Sequence, residues 1–233
     1  MIQRERNGED SVSFDYHAFH TVMSMYGQQG FPARAEAMLD EVCPEPPLAD
    51  VSKQGAPPKG NSTLLSSYSF LTVINAWIKA NNPERAEAIL RRMCRCRDQQ
   101  IPHVRLFPQN FIVVAACWNK SQQQQAGVRA DDLLQLMELE NVDAKNFELP
   151  RGIYVETMKN LASVGEGERA EALLRRVQPL FRKGSRVYLS LYRDVIHAWR
   201  QSQDPRASER IASLEAEITD RFPKRPMSST SNS

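Results

Sequence analysis

Apolar residues recur along the chain at positions i, i+3, i+4 and i+7, a spacing that places them in one stripe along an α-helix. Two kinds of segment carry such a stripe, and they alternate. The first kind, which we call the A helix, begins its stripe with an aromatic residue and ends it two turns later with a large residue. The predicted A stripes are Phe19, Val22, Met23, Tyr26; Phe70, Val73, Ile74, Trp77; Phe111, Val114, Ala115, Trp118; Tyr154, Thr157, Met158, Leu161; and Tyr192, Val195, Ile196, Trp199.

The second kind of segment, which we call the B helix, starts its stripe at the alanine of an Arg-Ala pair. Three copies are nearly identical: ARAEAMLDEV at 33–42, ERAEAILRRM at 84–93 and ERAEALLRRV at 168–177. Further Arg-Ala pairs stand at 129–130 and 206–207. The small alanine allows a neighbouring helix to approach closely. In the fifth copy, Arg210 interrupts the stripe.

Short polar turns join each A helix to its B helix. Pro32, Pro83 and Pro205 stand near the start of a B helix, where the missing N–H of proline costs nothing. One helix pair cannot bury both of its stripes alone, whereas stacked pairs can. The pattern therefore predicts an all-α helical-repeat solenoid of about five helix pairs.

The predicted repeat domain spans residues 14–217. Its five units cover 14–42, 65–93, 108–138, 150–178 and 188–217. Residues 1–13 and 218–233 are predicted to be tails, and the Pro/Gly-rich segment 43–62 is predicted to be a flexible linker.

Composition excludes several classes of function. The chain has 233 residues, is 41% hydrophobic and carries a net charge of +2, so its overall charge requires neither a nucleic acid nor a membrane surface. Its apolar runs are far shorter than the ~20 residues of a membrane-spanning helix. The start, MIQRERNGED, resembles neither a signal peptide nor a transit peptide. We therefore expect no membrane association.

Residues that could carry catalysis or bind metal are sparse. Cys43, Cys94, Cys96 and Cys117 include one close pair, and only His103 is near enough to join it, which favours reduced thiols over a zinc site. The four histidines lack the spacing of a metal site or a triad. Neither a nucleophile elbow nor a phosphate-binding glycine loop is present. We expect no enzymatic activity, no metal and no cofactor.

Three other patterns have structural explanations. The tryptophans lie on A stripes and are predicted to be core residues. One slot of the B helix is acidic in four copies and is predicted to lie on an exposed face; it holds Glu36, Glu87, Asp131 and Glu171. The arginines of RRMCRCR (91–97) and the basic segment 180–186 are predicted to be solvated helix ends, with phosphate contact as the alternative.

The A–B unit resembles the pentatricopeptide repeat (PPR). The resemblance lies in [FY]xx[VT][MI]xx[YW], a short polar turn and RAExxLxxM, and SFLTVINAWIKANNPERAEAILRRM (69–93) is the best example. It implies a right-handed, TPR-like α-α superhelix, although the Trp-Leu-Gly-Tyr arrangement of tetratricopeptide repeats is missing. It also implies that the A helices line a concave groove for single-stranded RNA, usually in mitochondria or plastids.

The resemblance also implies which residues face the RNA. In the family, the residue after the opening aromatic faces a base, and a lysine two residues after the closing aromatic helps to hold phosphate. The base-facing positions here are His20, Leu71, Ile112, Val155 and Arg193, and the lysine position is kept as Lys79 and Lys120. The family uses chiefly Asn, Thr and Ser to read bases. In this chain, His20 and Arg193 can instead stack on bases, and the three aliphatic residues can make apolar contacts.

Two hypotheses follow. The first is a noncatalytic RNA-binding adaptor in an organelle, which supports RNA processing, stability or translation together with proteins of an organellar RNA or ribosomal assembly. The second is a protein–protein interaction scaffold with the same fold and no RNA binding. The repeat resemblance, with Lys79 and Lys120 on the A helices, motivates the first hypothesis, which is the leading one. The near-neutral charge and the apolar groove positions motivate the second, which is the alternative.

Overall fold

The computed structural model describes residues 16–44, 64–140, 150–182 and 185–222. The predicted tail 1–13, most of the predicted linker 43–62 and the residues from 223 onwards lie outside these ranges. The helices are α1 (Tyr16–Gln28), α2 (Pro32–Val42), α3 (Ser67–Lys79), α4 (Pro83–Asp98), α5 (Pro108–Lys120), α6 (Ala126–Leu139), α7 (Arg151–Ser163), α8 (Gly167–Val177), α9 (Arg186–Gln201) and α10 (Ala207–Arg221).

The odd-numbered helices are the predicted A helices, and the even-numbered helices are the predicted B helices. The ranges that the structure describes contain no β-strand, and none of their helices is long and apolar enough to cross a membrane. The all-α prediction is therefore confirmed. The last helix continues to Arg221, four residues past the predicted end of the domain at 217.

Contacts repeat from one helix pair to the next. Helices of one pair pack together in α1–α2, α3–α4, α7–α8 and α9–α10. Within the two units, A helices also pack on the A helix of the next pair in α1–α3 and α7–α9, and on the preceding B helix in α2–α3, α6–α7 and α8–α9. Such packing of consecutive pairs is that of a helical-repeat solenoid, as predicted.

The chain divides within α5 into two compact units. The described residues up to Cys117 form the first unit, and those from Trp118 onwards form the second. In both units the predicted stripes form most of the core: the alanines that open the first four B stripes, among them Ala35, Ala86 and Ala170, have no exposed surface. Val22 is an exception, 42% exposed although it belongs to the first A stripe. Its equivalent Val73 is buried in a helix that packs against the preceding pair, and the structure describes no pair before α1.

Four A helices end in the same left-handed turn. The fourth residue after the closing residue of the stripe has a positive φ at Gly30, Asn81, Gln122 and Gly165. In three of these turns the next N–H donates to the carbonyl of the closing residue: Phe31 to Tyr26 at 2.9 Å, Asn82 to Trp77 at 3.0 Å, and Glu166 to Leu161 at 3.1 Å. This is the bond that ends a helix in a Schellman motif. It reverses the chain so that the B helix folds back on its A helix.

The acidic slot of the B helix is buried, so its predicted exposure was wrong. Glu36 is 8% exposed; it accepts the indole N–H of Trp77 at 2.7 Å and a guanidinium N–H of Arg85 at 2.5 Å. Both donors belong to the next helix pair. We call this arrangement, a B-helix carboxylate bound by the tryptophan and an arginine of the next pair, the carboxylate clasp.

The second unit contains the same clasp. Glu171, 6% exposed, accepts the indole N–H of Trp199 at 3.1 Å and a guanidinium N–H of Arg210 at 3.1 Å. This explains the arginine that interrupts the fifth B stripe: it binds the carboxylate of the preceding pair. Since ionised carboxylates are costly to bury unless they are paired, each clasp ties one helix pair to the next.

Two of the three tryptophans and one arginine of RRMCRCR are also buried. Trp118 and Trp199 are each 3% exposed, which confirms them as core residues, and Trp77 is half-buried. Arg92, predicted to be part of a solvated helix end, is only 3% exposed, so this expectation was wrong for it. Its guanidinium reaches from α4 to Asp40 on α2 at 2.6 Å, which explains its burial.

Removal of one clasp charge should weaken the second unit. We expect Glu171→Gln to lower the free energy of unfolding at neutral pH by about 1–3 kcal/mol, because Arg210 and Arg175 lose their carboxylate while remaining partly screened by solvent. Urea unfolding measures this change. Glu168→Gln is the matched control; Glu168 is 76% exposed in its side chain and should change stability by less than about 0.5 kcal/mol.

The same variant should show how stability depends on pH. Burial raises the pKa of Glu171, but hydrogen bonds from Arg210, Arg175 and Trp199 outweigh burial and hold the pKa below its usual 4.5. The stabilisation is therefore present above that usual value and lost as the pH falls through the lower folded-state value. The parent and Glu171→Gln should converge in stability in acid. An unchanged difference at all pH values would contradict the clasp.

Close packing at the start of α8 gives a second stability test. A Cβ at position 167 would lie 2.6 Å from Cδ2 of Trp199, whereas one at position 152 would meet nothing within 4 Å. We expect Gly167→Ala to lose about 1–3 kcal/mol by overpacking. Gly152→Ala should be neutral or gain up to about 1 kcal/mol from helix propensity. Thermal unfolding separates the two, and equal midpoints would refute this packing.

Candidate nucleic-acid interface

A groove runs along the solvent-facing side of α1 in the first unit, with α3 as its second wall. Its volume of about 670 Å³ lies within the range of ligand-binding clefts. The residues that line it carry aromatic, hydroxyl, amide and thioether groups: Tyr16, His17, His20, Thr21, Ser24, Met25, Gln28 and Tyr68. None of them carries a formal charge when the histidines are neutral.

Three rings form the aromatic part of this groove. The His20 ring centroid lies 4.2 Å from that of Tyr16 and 5.2 Å from that of Tyr68. His20 is 6% exposed and forms the floor, whereas Tyr68 is 53% exposed and Tyr16 is 38% exposed. The two tyrosines therefore present ring surface to solvent on either side of a buried imidazole.

Hydrogen bonds hold both tyrosine rings in place. The Tyr16 hydroxyl lies 3.0 Å from Oγ of Ser66, and the Tyr68 hydroxyl lies 3.2 Å from Oγ of Ser24. Each bond joins α1 to α3 or to the residue just before α3. The ring positions thus depend on how the first two helix pairs pack, and the aromatic surface is preorganised for a flat ligand.

His20 is set up to remain uncharged. Burial lowers the pKa of its imidazole, and the neighbouring His17 lowers it further, against a hydrogen bond with the Leu64 backbone that raises it. Its Nε2 lies 3.4 Å from the hydroxyl oxygen of Ser69. A neutral ring on the floor of the groove can stack or hydrogen-bond without attracting phosphate.

The predicted base-facing residues differ in exposure. His20 and Ile112 are each 6% exposed, Leu71 and Val155 are half-buried, and Arg193 is exposed. Lys79 and Lys120 are exposed at the last turns of α3 and α5. His20 is the predicted residue that lines the groove of the first unit, and the neighbours that offer the most surface there are Tyr16 and Tyr68.

These two tyrosines were not among the residues predicted from the sequence. Tyr68 stands two residues before the opening aromatic of its A helix, and Tyr16 stands three before its own. Aromatic residues outside the apolar stripe were the available signal, because a large ring on the polar side of an amphipathic helix has no core to fill. Their convergence on His20 needs the packing of α1 against α3, which a helix-by-helix reading does not show.

The second unit presents different chemistry on its A helices. Asp194 on α9 is half-buried, and its Oδ2 has no hydrogen-bond partner in the part of the chain that the structure describes. Burial raises the pKa of this carboxyl, while the nearby charges of Lys159 on α7 and His197 oppose the rise. Arg193, next to Asp194, is exposed. This face can accept a hydrogen bond through Asp194 and contact an anion through its cations.

The described ranges contain no group of three or more His, Cys, Asp or Glu side chains arranged to hold a metal ion. The chemistry that the A helices offer is stacking, hydrogen bonding and a few cationic contacts. These are the interactions by which proteins bind single-stranded nucleic acids.

Comparison with known proteins adds the family. Residues 17–43 and 68–97 each match the family model described as PPR repeat. The first match covers α1 and α2 almost completely, and the second covers α3 and α4, so each match corresponds to one A–B pair. No curated protein and no solved structure matches the chain significantly. The resemblance expected from the residues is therefore confirmed over the first two helix pairs, which are pentatricopeptide repeats.

Proposed function

We propose that this protein binds single-stranded RNA through the solvent-facing sides of its A helices, as a noncatalytic adaptor. The observation that carries the proposal is the groove of the first unit, where exposed Tyr16 and Tyr68 flank His20 within two PPR repeats. PPR proteins are typically RNA-binding helical-repeat proteins. The proposal extends to a role in organellar RNA processing, stability or translation, in a mitochondrion or plastid.

Base stacking is the main contact that this groove supports. A base on an aromatic side chain contributes ~1–3 kcal/mol, largely independent of its identity. Gln28 and Ser24 line the same groove and can hydrogen-bond to base edges. Since no lysine, arginine or carboxylate lines this groove, stacking should contribute more here than attraction to phosphate.

Lysines outside this groove supply the electrostatic part of the proposal. Lys79, Lys120 and Lys159 are exposed on successive A helices. With a net charge of +2, the chain attracts RNA only weakly over long distances, so its affinity depends on such local contacts. A weak binder of this kind suits a protein that works with other proteins of an organellar RNA or ribosomal assembly.

Apolar surface on α1 favours a second candidate function, a protein–protein scaffold. Val22 and Met25 are 42% and 51% exposed, and Phe31 just after this helix is 47% exposed. Clustered apolar surface is typical of sites that bind proteins. Under this candidate, RNA binding should be negligible even at low salt.

A filter-binding titration with a mixed-sequence single-stranded RNA tests the charge contribution. We expect measurable binding. The slope of log affinity against log salt concentration should be about −1.4 or steeper, the value for roughly two phosphate contacts on a single strand. Lys79→Glu/Lys120→Glu should weaken binding and reduce this slope. The charge-matched control is Arg200→Glu/Arg221→Glu; Arg200 contacts Glu215 of α10, and Arg221 closes that helix. Absent binding at low salt would favour the scaffold.

The same titration tests stacking. We expect Tyr68→Ala to weaken RNA binding about 5- to 150-fold, the equivalent of ~1–3 kcal/mol for one stacked base. Tyr68→Phe keeps the ring and loses only the hydroxyl, so it should bind within about threefold of the parent. Leu139→Ala, at a position that is 81% exposed on a B helix, checks for nonspecific effects. Equal loss in the Phe and Ala variants would contradict stacking.

A further inference from the structure

Two thiols of the first unit lie in contact. Sγ of Cys43, just after α2, is 3.3 Å from Sγ of Cys96, near the end of α4. The two cysteines are 53 residues apart in sequence and belong to successive helix pairs, and no disulfide joins them. They are 3% and 4% exposed. The contact is specific to Cys96. Cys94 lies two residues before it on α4, and residues at that spacing point to different faces of a helix.

The surroundings activate one of the two sulfurs. The hydrogen bond from Cys96 and then the positive charge of Arg92 lower the pKa of Cys43, against burial and the Asp40 carboxylate, which raise it. Arg92 is itself buried and ion-paired to Asp40 at 2.6 Å, which holds its guanidinium in place. The thiolate is the reactive form of cysteine, so Cys43 is the nucleophile of the pair.

We propose that Cys43 and Cys96 are a redox modification site, which hydrogen peroxide converts into a disulfide between the first two PPR repeats. The Cys43 thiolate attacks one peroxide oxygen, the O–O bond breaks, and hydroxide leaves with Cys43 as the sulfenic acid. The Cys96 sulfur then attacks the Cys43 sulfur. The S–S bond forms, and the sulfenic oxygen leaves as water with the Cys96 proton. One peroxide is reduced to water as two thiols are oxidised.

The contact between the two sulfurs favours disulfide formation over further oxidation. An oxidant as small as peroxide suits sulfurs with so little exposed surface, and the resolving thiol is already in place. The disulfide joins the end of α2 to α4, while α1 and α3 of the same pairs form the groove with Tyr16 and Tyr68. Oxidation therefore fixes the two repeats against each other. This inference holds whether or not the groove binds RNA.

Peptide mapping of the full chain tests the proposal. After peroxide treatment and removal of the oxidant, non-reducing mass spectrometry should show a mass loss of two hydrogens and a peptide that links Cys43 to Cys96. The thermal midpoint should rise by about 5–10 °C, as expected for a bridge across a long loop, and dithiothreitol should reverse the rise. Cys43→Ala and Cys96→Ala should abolish both effects, whereas Cys94→Ala and Cys117→Ala should preserve them.

The mapping of the parent chain decides the question even if a variant fails to fold. Exclusive oxidation to sulfinic or sulfonic acid would overturn the proposal. So would linkage mainly through Cys94 or Cys117, or a Cys43–Cys96 bridge that forms in urea but not in the folded chain. A Cys43–Cys96 bridge that forms in native buffer and is lost when urea unfolds the chain during oxidation would support it, because the contact between the two sulfurs depends on the fold.

Discussion

The burial of a carboxylate in each clasp is the constraint on which the repeat depends. Glu36 and Glu171 lie almost out of solvent, where an unpaired negative charge is prohibitively costly. Each finds its donors, an indole N–H and a guanidinium, in the next helix pair. Without the next pair, the apolar stripe of such a pair would be exposed to solvent, and its clasp carboxylate would lose its hydrogen-bond donors. Polar and apolar contacts act at the same junction, which defines how one pair packs on the next.

Because the core and the clasps hold the pairs together, the residues on the solvent-facing side of the A helices can vary. Most of the stripe residues of these helices lie in the core, and Trp77 and Trp199 also take part in the clasps. The A-helix residues outside the stripes are not needed for this packing, and they differ between the two units. The first unit has rings, hydroxyls and amides around His20, and the second has Lys159, Arg193 and Asp194. One fold can therefore present an uncharged stacking surface in one unit and a charged surface in the other.

Arginines of the B helices make several kinds of structural contact. In three pairs the arginine of the Arg-Ala motif lies over the closing aromatic of its own A helix, with 5.6–5.7 Å from Cζ to the ring centroid: Arg34 on Tyr26, Arg85 on Trp77 and Arg129 on Trp118. Such a cation–π contact supports the turn between the helices. Arg85 also completes a clasp, and Arg92, two turns further along α4, pairs with Asp40 beside the Cys43 thiol. The basic residues that resemble a nucleic-acid patch in the sequence are thus partly structural.

Local patterns were enough to predict the helices, their alternation and the PPR repeats of the first two pairs. The reason is that helical spacing, and a proline or glycine at a turn, determine structure within a few residues. They were not enough for the acidic slot, whose burial depends on Trp77 or Trp199 of the following pair, nor for Arg92. Likewise, His20 was identified from its position after Phe19, whereas Tyr16 and Tyr68 became neighbours of His20 only when α1 packed on α3. Whether a side chain off the stripe meets water or a partner depends on residues about one repeat away, and only the packed chain brings them together.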